Sequence, residues 1–256
     1  MGKATVIAVG NFKGGVGKTT TTAHLAFALR EAGHTVLLVD FDSQGQSTLY
    51  LTDDPSWAGK SGGAEQLLDP EKEIQPIATK WGIDVLHGHR GLGRIDKHTG
   101  EDAGKLRGRI EALPYDFIVI DTPPDMAFRM LAALMWADLL LVVSTPDPLA
   151  QNSTEQLTNV IRGFKSRGWV KPRFQFKIML NMVDRSSATA VKEAEEARAR
   201  APSSVLASEF TYRRELIKRA FKQKIPVWKV SRVPKDIAAT WHDLPVSLGL
   251  IKGVTA

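Results

Sequence analysis

The residue types best equipped for chemistry cluster early in the chain. Lys13-Gly14-Gly15-Val16-Gly17-Lys18-Thr19-Thr20 combines glycines, lysines and hydroxyls in one uninterrupted run. Placed at a strand-to-helix turn, such a run surrounds phosphate oxygens with successive backbone N–H groups and the positive end of a helix. Glycines let the backbone approach closely, Lys18 offers a charge to the outer phosphates, and the Thr19 hydroxyl can ligate Mg²⁺. Gly14, Gly15, Val16, Gly17, Lys18, Thr19 and Thr20 are the candidate nucleotide-binding residues. Two apolar runs also end in carboxylates. Phe117-Ile118-Val119-Ile120 is followed by Asp121, the pattern of a carboxylate that holds Mg²⁺, often through water. Val36-Leu37-Leu38-Val39 is followed by Asp40, with Asp42 two positions on. In extended chain these two share parity, so both could face the phosphates. Asp125 suits a metal site or, equally, the N-cap of the helix that follows it.

The elements that must position these groups alternate. Ala4–Val9, Thr35–Asp40, Ile83–Leu86, Phe117–Asp121, Leu139–Ser144, Phe176–Leu180 and Val205–Phe210 read as strands, several of them continuously apolar. That is expected where a sheet is covered on both faces. Helical patterns occupy Lys18–Glu31, Phe128–Trp136, Thr154–Arg167 and Ala188–Ala199. The alternation predicts an α/β fold with a mostly parallel, twisted sheet flanked by helices on both faces. One domain over residues 1–256 accommodates it, with no module before the first strand. The stretch from Asp53 to about Asp102, with Pro55, Gly59, Gly62, Gly63, Pro70 and Pro76 among its breakers, reads as loops around short elements.

Composition narrows the chemistry. The chain has no cysteine, which excludes disulfides, thiolate zinc sites, iron–sulfur clusters and cysteine nucleophiles. No run approaches the length of a membrane span and no signal peptide opens the sequence, so a soluble cytoplasmic protein is expected. The net charge is +6, which permits contact with nucleic acid without requiring it.

The phosphate loop has Phe12 where an ordinary loop has its first glycine, followed by a second lysine, Lys13. The form K-G-G-x-G-K-[ST]-[ST] resembles the deviant Walker A loop of the ParA/MinD family of P-loop ATPases. The resemblance runs from Lys3 to about Val230 and implies ATP and Mg²⁺ as the ligand pair. It also implies a homodimer formed on ATP binding, in which Lys13 reaches the nucleotide of the partner subunit. Asp40 through Ser47 is similar to the family's D-x-D-P-Q-G switch, with Ser43 in place of proline. By that match Asp42 orients the attacking water and joins Thr19 and Asp121 at the metal, while Asp40 supports the loop or the metal shell. Lys13, Lys18 and Asp42 form the implied catalytic set. Asp121-Thr122-Pro123-Pro124 is similar to the second switch, and Ser144–Ala150 to a segment at the dimer face. An asparagine at the place of Asn181 contacts adenine in the family. Asn181 and Asp184 also echo a guanine motif, but Met182 replaces its lysine, which disfavours GTP.

Thr211–Lys235 carries nine basic residues and one acidic residue. Within its apparent helix, ended by Pro226, Arg214, Lys218, Arg219 and Lys222 share an arc opposite Leu216, Ile217, Ala220 and Phe221. Together with Arg213 they form a candidate surface for phosphates, one that does not read bases. The resemblance implies a ParA-type member that binds double-stranded DNA without sequence preference, associates with the nucleoid, and is stimulated by a centromere-binding, ParB-like adaptor. The cargo is a plasmid, a chromosome or a protein assembly. A MinD-like, membrane-cycling regulator of division is the alternative. It needs a basic amphipathic C-terminal helix, whereas Trp241–Gly253 is interrupted by Pro245 and glycines, so no membrane partner is expected. Small-molecule ligases among P-loop relatives would need a substrate pocket that the sequence does not mark.

Overall fold

Runs of Val, Ile and Leu with no polar interruption can only be satisfied between two apolar layers, and the strands occupy that position. The computed structural model describes residues 3–53 and 63–253. Pro55, Gly59 and Gly62 lie outside them. The strands are β1 (Thr5–Gly10), β2 (Val36–Asp40), β3 (Ile77–Ala78), β4 (Ile83–Leu86), β5 (Phe117–Asp121), β6 (Leu139–Ser144) and β7 (Gln175–Leu180). They form one sheet in the order β3-β4-β2-β5-β1-β6-β7, parallel throughout except for β3. Every residue of β2, β5 and β6 is buried.

Two cores sandwich the sheet. On one face pack α1 (Lys18–Glu31), α2 (Gln46–Leu51), α7 (Arg214–Gln223), α8 (Lys235–His242) and α9 (Leu244–Ser247), with Phe27, Tyr50, Ala220, Trp241 and Leu244 in the core. On the other pack α3 (Gly100–Glu111), α4 (Phe128–Trp136), α5 (Pro148–Ser166) and α6 (Ala188–Arg200), with Leu106, Trp136, Ile161 and Ala194 in the core. The expected α/β architecture with helices on both faces is therefore observed.

Several assignments depart from the sequence reading. Helix α5 begins at Pro148 rather than Thr154, because the Asp147 side chain caps it and Pro148 fits the first turn. Val205–Phe210 is not a strand. It touches β7 through an isolated bridge at Ile178–Val205 and bonds such as Leu206 N–H to the Ile178 carbonyl, and a further bridge joins Val183 and Thr211 just beyond both segments. The ladder breaks where Glu209 turns to pair with Arg185 and Arg198. Helix α3, unassigned from the sequence, starts on a reciprocal cap in which Asp102 accepts from both the Thr99 N–H and its hydroxyl.

Candidate nucleotide site

Parallel register brings the acidic strand ends beside the glycine loop. Val9 of β1 lies opposite Asp121 of β5, and Asp121 opposite Asp40 of β2. All three strands end at the same crevice, where open parallel sheets bind ligands. From Gly10 the chain turns through Asn11 to Lys18 and enters α1. Two glycines in this turn have left-handed backbone, Gly15 at φ 75° and Gly17 at φ 99°. A β-carbon on Gly17 would also collide with the Asn181 side-chain amide, so position 17 excludes any larger residue twice over.

Lys18 is buried and its Nζ donates to the Lys13 carbonyl at 3.0 Å, arching over the loop. Burial lowers its pKa, against the opposing pull of Asp121, Asp42 and Asp125. Thr19 and Thr20, half-buried, lie in the first turn of α1, and Gly14 and Gly15 are exposed.

Asp121 is fully buried. Its Oδ1 accepts from Thr22 Oγ1 at 3.3 Å, while its Oδ2 has no hydrogen-bond partner. Ser47 Oγ is likewise buried and unpartnered. Burial pushes the Asp121 pKa up, the charges of Asp40 and Asp42 add to that, and the Thr19 and Ser47 hydroxyls oppose it. An unpartnered carboxylate oxygen beside hydroxyls and further carboxylates is a setting that a divalent cation completes. Among the described residues no group of three or more His, Cys, Asp or Glu is arranged to hold a metal alone. That fits Mg²⁺, which keeps water and takes phosphate oxygens rather than an all-protein cage.

Asp40 and Asp42 divide their work. Asp40 is buried and accepts from Thr48 N–H, the Thr48 hydroxyl and Asp42 N–H, so it organises the turn instead of facing a ligand. Asp42 is half-buried and accepts from Gln44 N–H at 2.9 Å. Asp125 is not the cap of α4. Ala127 holds that position, and Asp125 accepts from its N–H at 3.4 Å.

Lys13 points away from its own phosphate cradle. Its Nζ pairs with Asp147 Oδ1 at 2.7 Å, and Asp147 also accepts from Thr145 and from Ala150 N–H at the start of α5. A cleft of about 440 Å³ opens beside this pair, lined by Gly14, Val16, Pro146, Met182 and Tyr212 among others. Asn181 Nδ2 donates to the Val16 carbonyl at 2.8 Å, which commits its amide nitrogen to bracing the loop.

Two residues of this region carry no motif signal. Asn11 ties the loop to β6, donating to the Val143 carbonyl at 2.7 Å and accepting from Lys13 N–H. Arg129, an arginine in an otherwise apolar helix, is buried. It pairs with Asp96 and donates to the Phe41 carbonyl at 2.7 Å, linking the two acidic loops.

Helix α7 lies beyond α1 and α2. Arg213, which precedes it, and Arg214, Lys218, Arg219 and Lys222 are all exposed, while Ala220 is buried and Leu216, Ile217 and Phe221 pack on the core. The helix is tied to the nucleotide elements at its end. Tyr50 of α2 donates to the Ile225 carbonyl at 2.9 Å, Lys224 donates to the Thr52 carbonyl, and Val227 N–H donates to His24 Nε2 of α1 at 3.0 Å.

Comparison with known proteins gives a consistent picture. Residues 4–176 match the family described as AAA domain. A ParA family protein of Chlamydia pneumoniae is 34% identical over 173 residues, covering 63% of this chain and 66% of that protein. The chromosome partitioning protein ParA of Caulobacter vibrioides (strain NA1000 / CB15N) is 31% identical over 208 residues, covering 76% of this chain and 75% of the relative. Among solved structures, the ATP complex of a Cyanothece McdA variant superposes with a TM-score of 0.84 over 100% of both chains at 18% identity, a likeness of fold alone.

Proposed function

The chain belongs to the ParA/MinD-type P-loop ATPases, enzymes that hydrolyse ATP with Mg²⁺, and on that premise we propose that it is a ParA-type partitioning or positioning ATPase. ATP binding drives formation of a homodimer, the dimer binds double-stranded DNA without sequence preference, and a DNA-bound adaptor stimulates hydrolysis and release. The observation that carries this reading is the placement of α7. Five exposed cations, Arg213, Arg214, Lys218, Arg219 and Lys222, lie on or just before α7, and the segment that follows α7 is bonded to α2 and α1, the helices that follow the Asp40 turn and the phosphate loop.

The residues divide the chemistry among them. Gly14, Gly15, Val16, Gly17, Thr19 and Thr20 bind the phosphates through backbone and hydroxyl groups, and Lys18 neutralises the outer ones. Asp121, with Thr19 and Asp42, holds Mg²⁺, which when bound neutralises charge developing on the transferred phosphoryl group. Asp42 orients water for attack, and Lys13, released from Asp147, extends to the partner's nucleotide. The Asn181 side chain frames the base through the loop it braces. Such a site does little covalent work, so its rate depends on positioning and responds to a partner that improves it.

The packing of the C-terminal helices favours DNA over a membrane. Trp241, Leu244 and Leu248, the apolar residues an anchoring helix would present, are buried against the core. Among the described residues no helix is long and apolar enough to cross a bilayer. The test compares binding to duplex DNA and to anionic vesicles, with and without ATP. Retention on DNA only with ATP, falling steeply with salt and abolished by Arg214→Ala with Lys218→Ala while ATPase persists, is expected. Nucleotide-independent binding, or binding to vesicles alone, refutes the assignment.

A further inference from the structure

A second basic surface lies away from both the nucleotide crevice and α7. Residues 156–183 contain no aspartate or glutamate and six basic residues, Arg162, Lys165, Arg167, Lys171, Arg173 and Lys177. Two of these are spent internally. Lys171 bridges Glu111 and Asp138 at 2.9 Å each, and Lys177 donates to the Ser203 carbonyl. Arg162, Lys165, Arg167 and Arg173 remain exposed, with no carboxylate among the described residues paired to them.

The surface is built rather than frayed. The end of α5 turns at Gly168, whose φ is 67°, and the Trp169 carbonyl is held by Arg107 of α3 at 2.6 Å. Trp169, 40% exposed, packs edge-on against Phe164 and stacks beneath the Arg167 guanidinium at 5.1 Å. Lys165 sits over Phe174 and Phe176 at 5.6 and 5.8 Å. Arg167 and Lys165 are thus propped on rings, of which Phe174 is in the core, Phe176 packs against it and Trp169 leans on the buried Phe164. Fixed cations without counter-ions are what phosphate binding uses, because each phosphate neutralised releases a condensed counter-ion.

Its location matters as much as its charge. The turn leads into β7, so it lies at the amino ends of the strands, opposite the phosphate loop. Phe164, Val170 and Phe174 pack in the core on the α3–α6 face, whereas α7 packs on the α1 face. The two basic surfaces therefore belong to opposite faces of the sheet. The exposed apolar area is a single tryptophan, too little for insertion into a bilayer, and one ring among separated cations suits a phosphate backbone better than a row of stacked bases.

We propose that Lys165, Arg167 and Arg173, with Trp169 beneath Arg167 and Phe174 and Phe176 beneath Lys165, form a second duplex-DNA backbone site, so that a protein bound to one segment through α7 captures another. This rests on the reading of α7 as the first site. The experiment immobilises one duplex, adds full-length protein with ATP, and measures retention of a second, labelled duplex, alongside binding to a single short duplex. The Lys165→Ala, Arg167→Ala, Arg173→Ala variant is expected to keep ATPase activity and single-duplex binding within about twofold. Its capture of the second duplex should fall at least about tenfold, with the log–log salt slope of capture shallower by up to about 3, at roughly 0.9 per lost phosphate contact. Arg167→Lys with Arg173→Lys should restore most of the capture, an outcome that separates charge from packing. Capture unchanged in the alanine variant, or wild-type protein that binds one duplex but never a second, overturns this inference alone. Wild-type protein with no ATP-dependent DNA binding overturns the α7 reading as well. Loss confined to anionic-vesicle binding reassigns the surface to lipid and also overturns the proposal.

Discussion

Acid should loosen the joint between the phosphate-loop helix and the C-terminal chain, and His24 sets where. Its imidazole is fully buried among Phe27, Tyr50, Trp228 and Trp241. Val227 N–H donates to Nε2, so that nitrogen must be bare, and Nδ1–H donates to the Thr20 carbonyl. Protonation would place two hydrogens face to face at Nε2 and strand a charge in an aromatic box. Burial accordingly drops the pKa from 6.5 to about 4, with the Thr20 hydrogen bond pulling weakly the other way. The unfolded chain takes up the proton first, near 6.5. Stability from this group is therefore complete above that value, is lost as pH falls toward about 4, and levels off below. A fall of that size, at about 1.4 kcal/mol per pH unit, makes the full loss about 3 kcal/mol. Denaturant unfolding of wild type and His24→Gln at several pH values between 7.5 and 4 isolates the contribution, since other acids titrate in both. The variant should be less stable at neutral pH and lose less on acidification. Parallel profiles, or an NMR titration of His24 near its ordinary value, would refute the reasoning.

Gly17→Ala should cost about 1–3 kcal/mol from the left-handed backbone alone, and more from the clash with Asn181. A lower melting temperature with at least tenfold weaker nucleotide binding is expected, and an unchanged dissociation constant would contradict the loop geometry. Asp147→Asn keeps a helix cap but drops the charge opposite Lys13. Because the pair is partly exposed and screened, its release is worth about 0.5–1 kcal/mol, and ATP-dependent dimerisation measured by light scattering should tighten about two- to fivefold; weakening would show that Asp147 serves the dimer directly. Asp121 carries a raised pKa while the metal needs it ionised, so binding of magnesium nucleotide should release a proton and weaken as pH falls from about 8. Calorimetry in buffers of different ionisation heat reads this, and a buffer-independent heat with a flat pH profile would remove Asp121 from the metal.

The parts of the molecule visible in the sequence are those where backbone chemistry dictates residue type. Gly17 is required by its φ and by Asn181, and Asp121 must end a buried strand, so both announce themselves. Helix α3 does not. Gly100, Gly104 and Gly108 lower its intrinsic propensity, yet Ala103, Leu106 and Ile110 bury its inner face in the core, and the Thr99–Asp102 cap starts it. Tertiary packing overrides local preference there. Pro148 reads as a loop marker until Asp147 is seen to cap the helix behind it. Parity along an extended chain lets Asp40 face the phosphates, and the family resemblance gives it support of the loop or the metal shell. The Thr48 hydroxyl and N–H claim its carboxylate instead, a contact that pattern alone cannot reveal. Arg129 and Asn11 act through carbonyls distant in sequence, and no spacing rule links them to those partners.

The two margins of the sheet constrain how copies of this protein can assemble. At one margin β3 is only two residues long and runs antiparallel to its neighbour. At the other, the strip around Leu206 and Phe210 occupies donors and acceptors of β7 without forming a ladder that another strand could continue. Among the described residues, neither side offers a long, flat template for intermolecular pairing. Growth by sheet extension is closed off, so any higher-order polymer must stack subunits through helices and loops, where nucleotide turnover can take it apart.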